Sequence, residues 1–219
     1  MPGSELYIRY HKIPEGATEM NATYVSPADT AKLIRAALKR SFPRTKFSVR
    51  TATYAGGAAV DVSWMDGPAV ALVERVTGQF VGGRFDGMID MAYAVKHWLL
   101  PDGTAEIASD PGTLGQAGVH RPTREWMPRP DAKLVRFGAA HVHTRRRYSD
   151  DLTVRVLAKL RRDGFAWEGD EGPIRDGWPE NAGHCRMVRN DAAARVEGPF
   201  GELLLMDVLH RVRTAFMVA

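Results

Sequence analysis

The clearest pattern in the chain is a change of hydrophobic period between residues 26 and 64. Leu33, Ile34, Ala37 and Leu38 recur at the spacing of one helix face, while Lys32, Arg35 and Lys39 fall on another. Ser26-Pro27-Ala28-Asp29 supplies a capping hydroxyl, a proline for the first turn and an acid near the helix start, so a helix is predicted from Ser26 to about Ser41. Pro43 closes it. From Phe47 the period falls to two: Phe47, Val49, Thr51 and Thr53 alternate with Ser48, Arg50, Ala52 and Tyr54. Val60, Val62 and Trp64 then alternate with Asp61 and Ser63. A two-residue Gly56-Gly57 loop would set Thr53 opposite Val60, Thr51 opposite Val62 and Val49 opposite Trp64. Asp66-Gly67-Pro68 ends this strand and starts a second helix with Val70, Val73, Val76 and Phe80 inward, stopped by Gly82 and Gly83. The expected fold class is α+β, with a helix-hairpin-helix core and an antiparallel sheet packed against helices.

The pattern elsewhere is weaker. Leu6 to Tyr10 has strand character, Pro14-Glu15-Gly16 is a turn signal, and Asn21 to Val25 is extended; residues 1–25 read as a lead-in. Arg84 to Met91 predicts a turn within extended chain, and Met91 to Leu100 fits either a strand or a short helix. Residues 26–100 thus form one α+β module. Pro101 to Pro130, rich in Gly, Pro and Asp and carrying Arg121, Arg124 and Arg129, reads as a loop or linker. It either separates a C-terminal α+β portion, 131–219, or is an excursion from one continuous domain. In that portion Lys133 to Thr144 is strand-like, and Ser149 caps a helix with Leu152, Val156, Leu157 and Leu160 inward and Arg155, Lys159 and Arg162 on another face. Phe165 to Asn181 is an aromatic, acidic, glycine-rich loop. Leu205, Val208, Leu209, Val212 and Phe216 predict a C-terminal helix.

Composition narrows the setting. The 219 residues suffice for a core without staples. Lys and Arg number 30 against 26 Asp and Glu, a net charge of +4 that permits nucleic-acid or acidic-protein partners without demanding them. The lone Cys185 makes no intrachain disulfide and no apolar run reaches membrane-spanning length, so a reducing cytoplasm is expected, with no membrane partner. Met1-Pro2-Gly3-Ser4-Glu5 lacks the basic start of a secretory signal.

The stretches Leu33-Ile34-Arg35 to Phe42-Pro43, Lys46-Phe47-Ser48-Val49-Arg50, Val60-Asp61-Val62-Ser63-Trp64 with Asp66-Gly67-Pro68, and Phe85-Asp86-Gly87-Met88-Ile89-Asp90 carry a family resemblance. Over about residues 26–91 the chain resembles the large polyvalent protein-associated domain of type 29, with a continuation through Arg145-Arg146-Arg147-Tyr148-Ser149. The resemblance implies an α+β module of phages and conjugative elements, whose proteins are thought to protect incoming DNA from host defences. It supplies no catalytic residues.

Five groups of residues could carry chemistry. Arg136, Arg145, Arg146 and Arg147, with the stripes Lys32, Arg35, Lys39 and Arg155, Lys159, Arg162, would suit phosphate oxygens or an acidic protein surface, or form solvated faces. His141 and His143 share one face of a predicted strand, as two metal ligands would, yet no third ligand motif exists; His97, His120 and His184 qualify only by type. Asp86 and Asp90 could be paired acids or could hold a turn, and Asp61 is expected to pair with Arg50. Cys185 beside His184 reads as an inert thiol. Trp167 and Trp178 could anchor a partner or fill a core. The leading expectation is a non-enzymatic accessory or counter-defence protein binding a host complex or nucleic acid, without a cofactor or a resident metal. The alternatives are a nucleic-acid- or nucleotide-processing enzyme using the His141/His143 strand near Asp86 or Asp90, and a structural module that only dimerises, as a homo-oligomer.

Overall fold

In the computed structural model, which describes residues 11–12, 22–109, 126–127, 130–189, 197–198, 201–202, 204–206 and 208–209, β1 (His11–Lys12) and β2 (Thr23–Val25) precede α1 (Pro27–Ser41). The expected cap is formed: Asp29 N donates to Ser26 Oγ at 3.1 Å, and Ser26 Oγ donates to Asp29 Oδ2 at 2.6 Å. Ala31, Ile34, Ala37 and Leu38 are buried, and α1 packs on β3 (Phe47–Tyr54). Phe42 and Phe47 meet with ring centroids 5.9 Å apart.

β3 and β4 (Gly57–Met65) form the expected hairpin, but its loop is Ala55-Gly56, one residue earlier than Gly56-Gly57. Gly56 takes the positive φ of 90° that the turn needs, and Gly57 is already strand. A loop closed there slides each β4 partner by two positions, bringing Val49 opposite Val62 instead of Trp64. Two residues is the side-chain period, so Val60, Val62 and Trp64 stay buried. The expected Arg50–Asp61 pair is absent: both are exposed, and no ion pair joins them among the described residues. Nor does the hairpin stand alone between two helices, since β4 pairs on its other side with a further strand, β11 (His141–Arg147), in the order β11-β4-β3.

The chain continues through α2 (Val70–Thr77), a 3-10 turn (Gly78–Phe80), β5 (Gly83–Asp86), β6 (Met91–Ala94), β7 (Lys96–Leu99), β8 (Ala105–Ser109), β9 (Trp126–Met127), β10 (Lys133–Phe137) and β11 (His141–Arg147). Then come α3 (Asp150–Arg162), β12 (Phe165–Glu168), β13 (Ile174–Arg175), β14 (Trp178–Pro179), β15 (Arg186–Arg189), β16 (Glu197–Gly198) and β17 (Gly201–Glu202). The described residues are mixed α+β, with three α-helices and several small sheets. They fall into two compact units: Met1–Val62 with Val73–Thr144, and Ser63–Leu72 with Arg145–Ala219.

In the first unit the larger sheet has the order β2-β10-β7-β8, with β2 parallel to β10 and the remaining pairs antiparallel. β8 lies within the stretch expected to be loop or linker. Phe80 meets Phe137 edge-on at 5.7 Å, and Trp98, Ala108 and Ala132 form a buried cluster. Gly82 and Gly83 do more than stop a helix. Gly82 N donates to Ala139 O at 2.9 Å and Gly83 N to Ala140 O at 3.2 Å, while a Cβ on Gly82 would lie 2.1 Å from Phe137 O.

The second unit is built on α3. Ser149 Oγ accepts from Leu152 N at 3.1 Å and donates to Asp66 Oδ2 at 2.7 Å, and Asp66 Oδ1 accepts from Ser149 N at 2.9 Å. Leu152, Val156, Leu157 and Leu160 pack with Ala182, Cys185, Met187, Leu205, Val208 and Leu209. β12 pairs with β15, setting Trp167 opposite Met187. Most of the expected C-terminal helix, with Val212 and Phe216, lies outside the described residues, as do Leu6 to Tyr10, His120, Arg121, Arg124 and Arg129.

Gly82→Ala is expected to lower stability by about 2–3 kcal/mol, because the added carbon meets backbone that cannot yield cheaply. Gly78→Ala, where nothing stands within 4 Å of the added carbon, should be neutral or mildly stabilising. Denaturant midpoints of the two variants check this.

Candidate functional site

Side chains of β11 alternate. His141, His143, Arg145 and Arg147 are exposed, whereas Arg146 is 8% exposed. The strand period therefore divides the arginine run that the sequence presents as one surface. Arg146 Nε donates to Asp66 O at 2.9 Å and Nη2 to Gly67 O at 2.8 Å, and its guanidinium lies 5.0 Å from the Tyr148 ring centroid. Burial lowers its pKa from the usual arginine value, with Tyr148 and Asp66 acting in the opposite sense. Arg146 holds a turn; only Arg145 and Arg147 of the run face solvent.

The histidines lie on one face, as the period requires, with rings stacked 6.0 Å apart. His141 lines an open cleft of about 280 Å³ within the first unit. Its walls come from β2 (Tyr24), the β3–β4 loop and the start of β4 (Gly56, Gly57), the β5–β6 hairpin (Arg84, Tyr93), β10 (Arg136) and the β10–β11 connection (Gly138). Strand register explains why these side chains converge. Arg136 stands opposite Tyr24 in the β10–β2 pair, and Arg84 opposite Tyr93 in the β5–β6 pair. The Arg136 guanidinium lies 5.6 Å from the Tyr24 ring centroid. Gly138 makes room for that tyrosine, since a Cβ there would fall 2.3 Å from Tyr24 Oη. Among the described residues lining the cleft are two arginines and a histidine, and no carboxylate.

Of the expected site residues, the structure brings Arg136 and His141 together here. Asp86 and Asp90 stand apart from the lining. Asp86 is 1% exposed and accepts from Met88 N at 2.9 Å, which fixes the β5–β6 turn, and Asp90 occupies that turn with φ of 51°. Sequence reasoning missed Arg84, Tyr24 and Tyr93. The nearest signal was the position of Arg84 just past two glycines, but its partners arrive through long-range pairing.

The helix stripes are partly engaged. On α1, Lys32 pairs with Asp29 at 2.8 Å and lowers its pKa, Arg35 Nη2 donates to Val49 O at 2.6 Å, and Lys39 is exposed. On α3, Lys159 pairs with Asp163 at 2.5 Å, and Arg155 and Arg162 are exposed. Trp167 and Trp178 are half-buried against the second unit's core. Trp167 Nε1 donates to Glu171 at 2.9 Å beneath the Arg161 guanidinium, which itself pairs with Glu171. Burial and the charges of Glu171 and Asp170 raise the pKa of the buried Cys185 thiol. Among the described residues no group of three or more His, Cys, Asp or Glu is placed to hold a metal ion. None of their helices is long and apolar enough to cross a membrane.

The model of the large polyvalent protein associated domain 29 family matches residues 25–149, more than half of the chain. The chain belongs to this family. The match runs from the end of β2 to the cap of α3 and takes in the lining of the cleft apart from Tyr24. Membership associates the protein with phages and other mobile elements. No curated protein and no solved structure matches the chain.

Arg146→Ala is expected to cost about 1–3 kcal/mol, by leaving two partly buried carbonyls without this partner, while Arg145→Ala and Arg147→Ala stay within about 0.5 kcal/mol. Urea unfolding distinguishes them. Glu171 gives a pH signature. Burial works to raise its pKa, but hydrogen bonds from Trp167 and Arg161 outweigh that and hold it below the usual glutamate value. A lowered folded-state pKa contributes stability that is present above the unfolded value of about 4.3 and is lost as pH falls through the folded one. Below about pH 4.3 the melting temperature of Glu171→Gln should therefore fall less steeply than that of the parent.

Proposed function

We propose that this protein is a non-enzymatic accessory protein of a phage or plasmid, acting in the host cytoplasm by binding nucleic acid through the basic cleft of its first unit. The carrying observation is the lining itself, in which Arg84, Arg136 and His141 face one cleft with no carboxylate among its described residues. Cations gathered in one cleft give it a field that favours an anion. Guanidinium groups suit phosphate oxygens, and each phosphate neutralised releases condensed counterions, so affinity falls steeply with salt. Support for a binder over a catalyst comes from the acids. Asp86 is committed to its turn and Asp90 stands outside the lining, so neither acts as a partner for His141 there. A counter-defence role accords with the family, since a protein that coats the element's nucleic acid would shield it from host enzymes.

Fluorescence anisotropy with a labelled oligonucleotide at several salt concentrations tests this reading. The logarithm of the binding constant should fall linearly with the logarithm of salt. Arg84→Ala with Arg136→Ala should flatten that slope by about 1.4 to 1.8, since two phosphates would no longer be neutralised. If Arg155→Ala with Arg162→Ala carries the loss instead, the ligand sits on α3 and the cleft assignment is wrong.

A further inference from the structure

The cleft holds the same two-residue arrangement twice. Arg136 and Tyr24 are register partners across β10 and β2, and Arg84 and Tyr93 are register partners across β5 and β6. Cross-strand partners share a face with their side chains adjacent, so each arginine has an aromatic ring beside it. The two pairs come from separate sheets and line one space.

We infer that the cleft takes an unpaired nucleotide of a single strand, with its base against a tyrosine ring and its flanking phosphates on the arginines. This rests on the nucleic-acid reading above. A duplex presents phosphates but keeps its bases stacked and paired, so it could satisfy the arginines and would leave the rings idle. A single strand offers both groups at the spacing of one nucleotide, which is how base stacking and a cationic groove combine in non-specific strand binding. Size agrees: about 280 Å³, just under the usual range of ligand clefts, is on the scale of one nucleotide unit. Tyr24 is 56% exposed, leaving ring surface free to stack. The remaining wall includes Gly56, Gly57, Gly82, Gly83 and Gly138, which lack side chains to read a base edge, so binding should tolerate any sequence.

The test compares a labelled oligothymidylate with a duplex of equal length, using free thymidine monophosphate as competitor. The single strand should bind at least about tenfold more tightly than the duplex. Tyr24→Leu or Tyr93→Leu should weaken the single strand about tenfold with little effect on the duplex, and Tyr24→Phe, which keeps the ring, should retain binding. Equal binding of duplex and single strand, with Arg84 and Arg136 still required, would overturn the single-strand assignment and leave the nucleic-acid reading intact. Binding of neither probe would remove both. Competition by the free nucleotide as strong as that by the unlabelled strand would make the ligand a mononucleotide and overturn the assignment to a strand.

Discussion

At Gly82 the backbone of the first unit runs so close to Phe137 that a side chain could not fit, and two amides of the Gly82-Gly83 pair bond the carbonyls of Ala139 and Ala140. The rest of the site depends on this contact. It seats the start of β5 along the β10–β11 connection, and so places Arg84 in the same cleft as Arg136 and His141. Two like charges lining one cleft repel each other, and a packed backbone with fixed hydrogen bonds is what can hold them there without a ligand. Gly138 plays a matching part by admitting Tyr24.

The second unit shows a different use of the same residue types. Arg146 is drawn inward to the carbonyls of Asp66 and Gly67, while Asp66 also anchors Ser149 at the start of α3. Arg161, Trp167 and Glu171 satisfy one another at its surface. Arg146 is internal there while Arg145, Arg147, Arg155 and Arg162 are exposed, and in the first unit Arg84 and Arg136 line an open cleft. A modest net charge of +4 is compatible with a local cluster of cations in one cleft.

Local features were legible in the chain. Ser26 and Ser149 cap helices as their neighbours indicate, the β3–β4 hairpin follows the period of two, and His141 and His143 share a face. The hairpin loop was displaced by one residue because Gly56 alone supplies the left-handed turn, which a Gly-Gly pair does not reveal. Arg145 to Arg147 read as one patch until strand alternation assigned Arg146 to the interior. The cleft itself could not be read, because it needs Tyr24 beside Arg136 and Arg84 in the same cleft as His141, and pairings between residues so far apart in sequence leave no periodic trace. The family adds a biological setting, and its matched segment ends at the cap of α3.

The most direct measurement is a titration of the isotope-labelled protein with a short single strand, followed by backbone amide chemical shifts. Concerted shifts at Arg84, Tyr93, Arg136 and His141, with α3 undisturbed, are the predicted result. Shifts confined to α3, or spread over the surface without the cleft, would contradict the assignment of the cleft as the binding site.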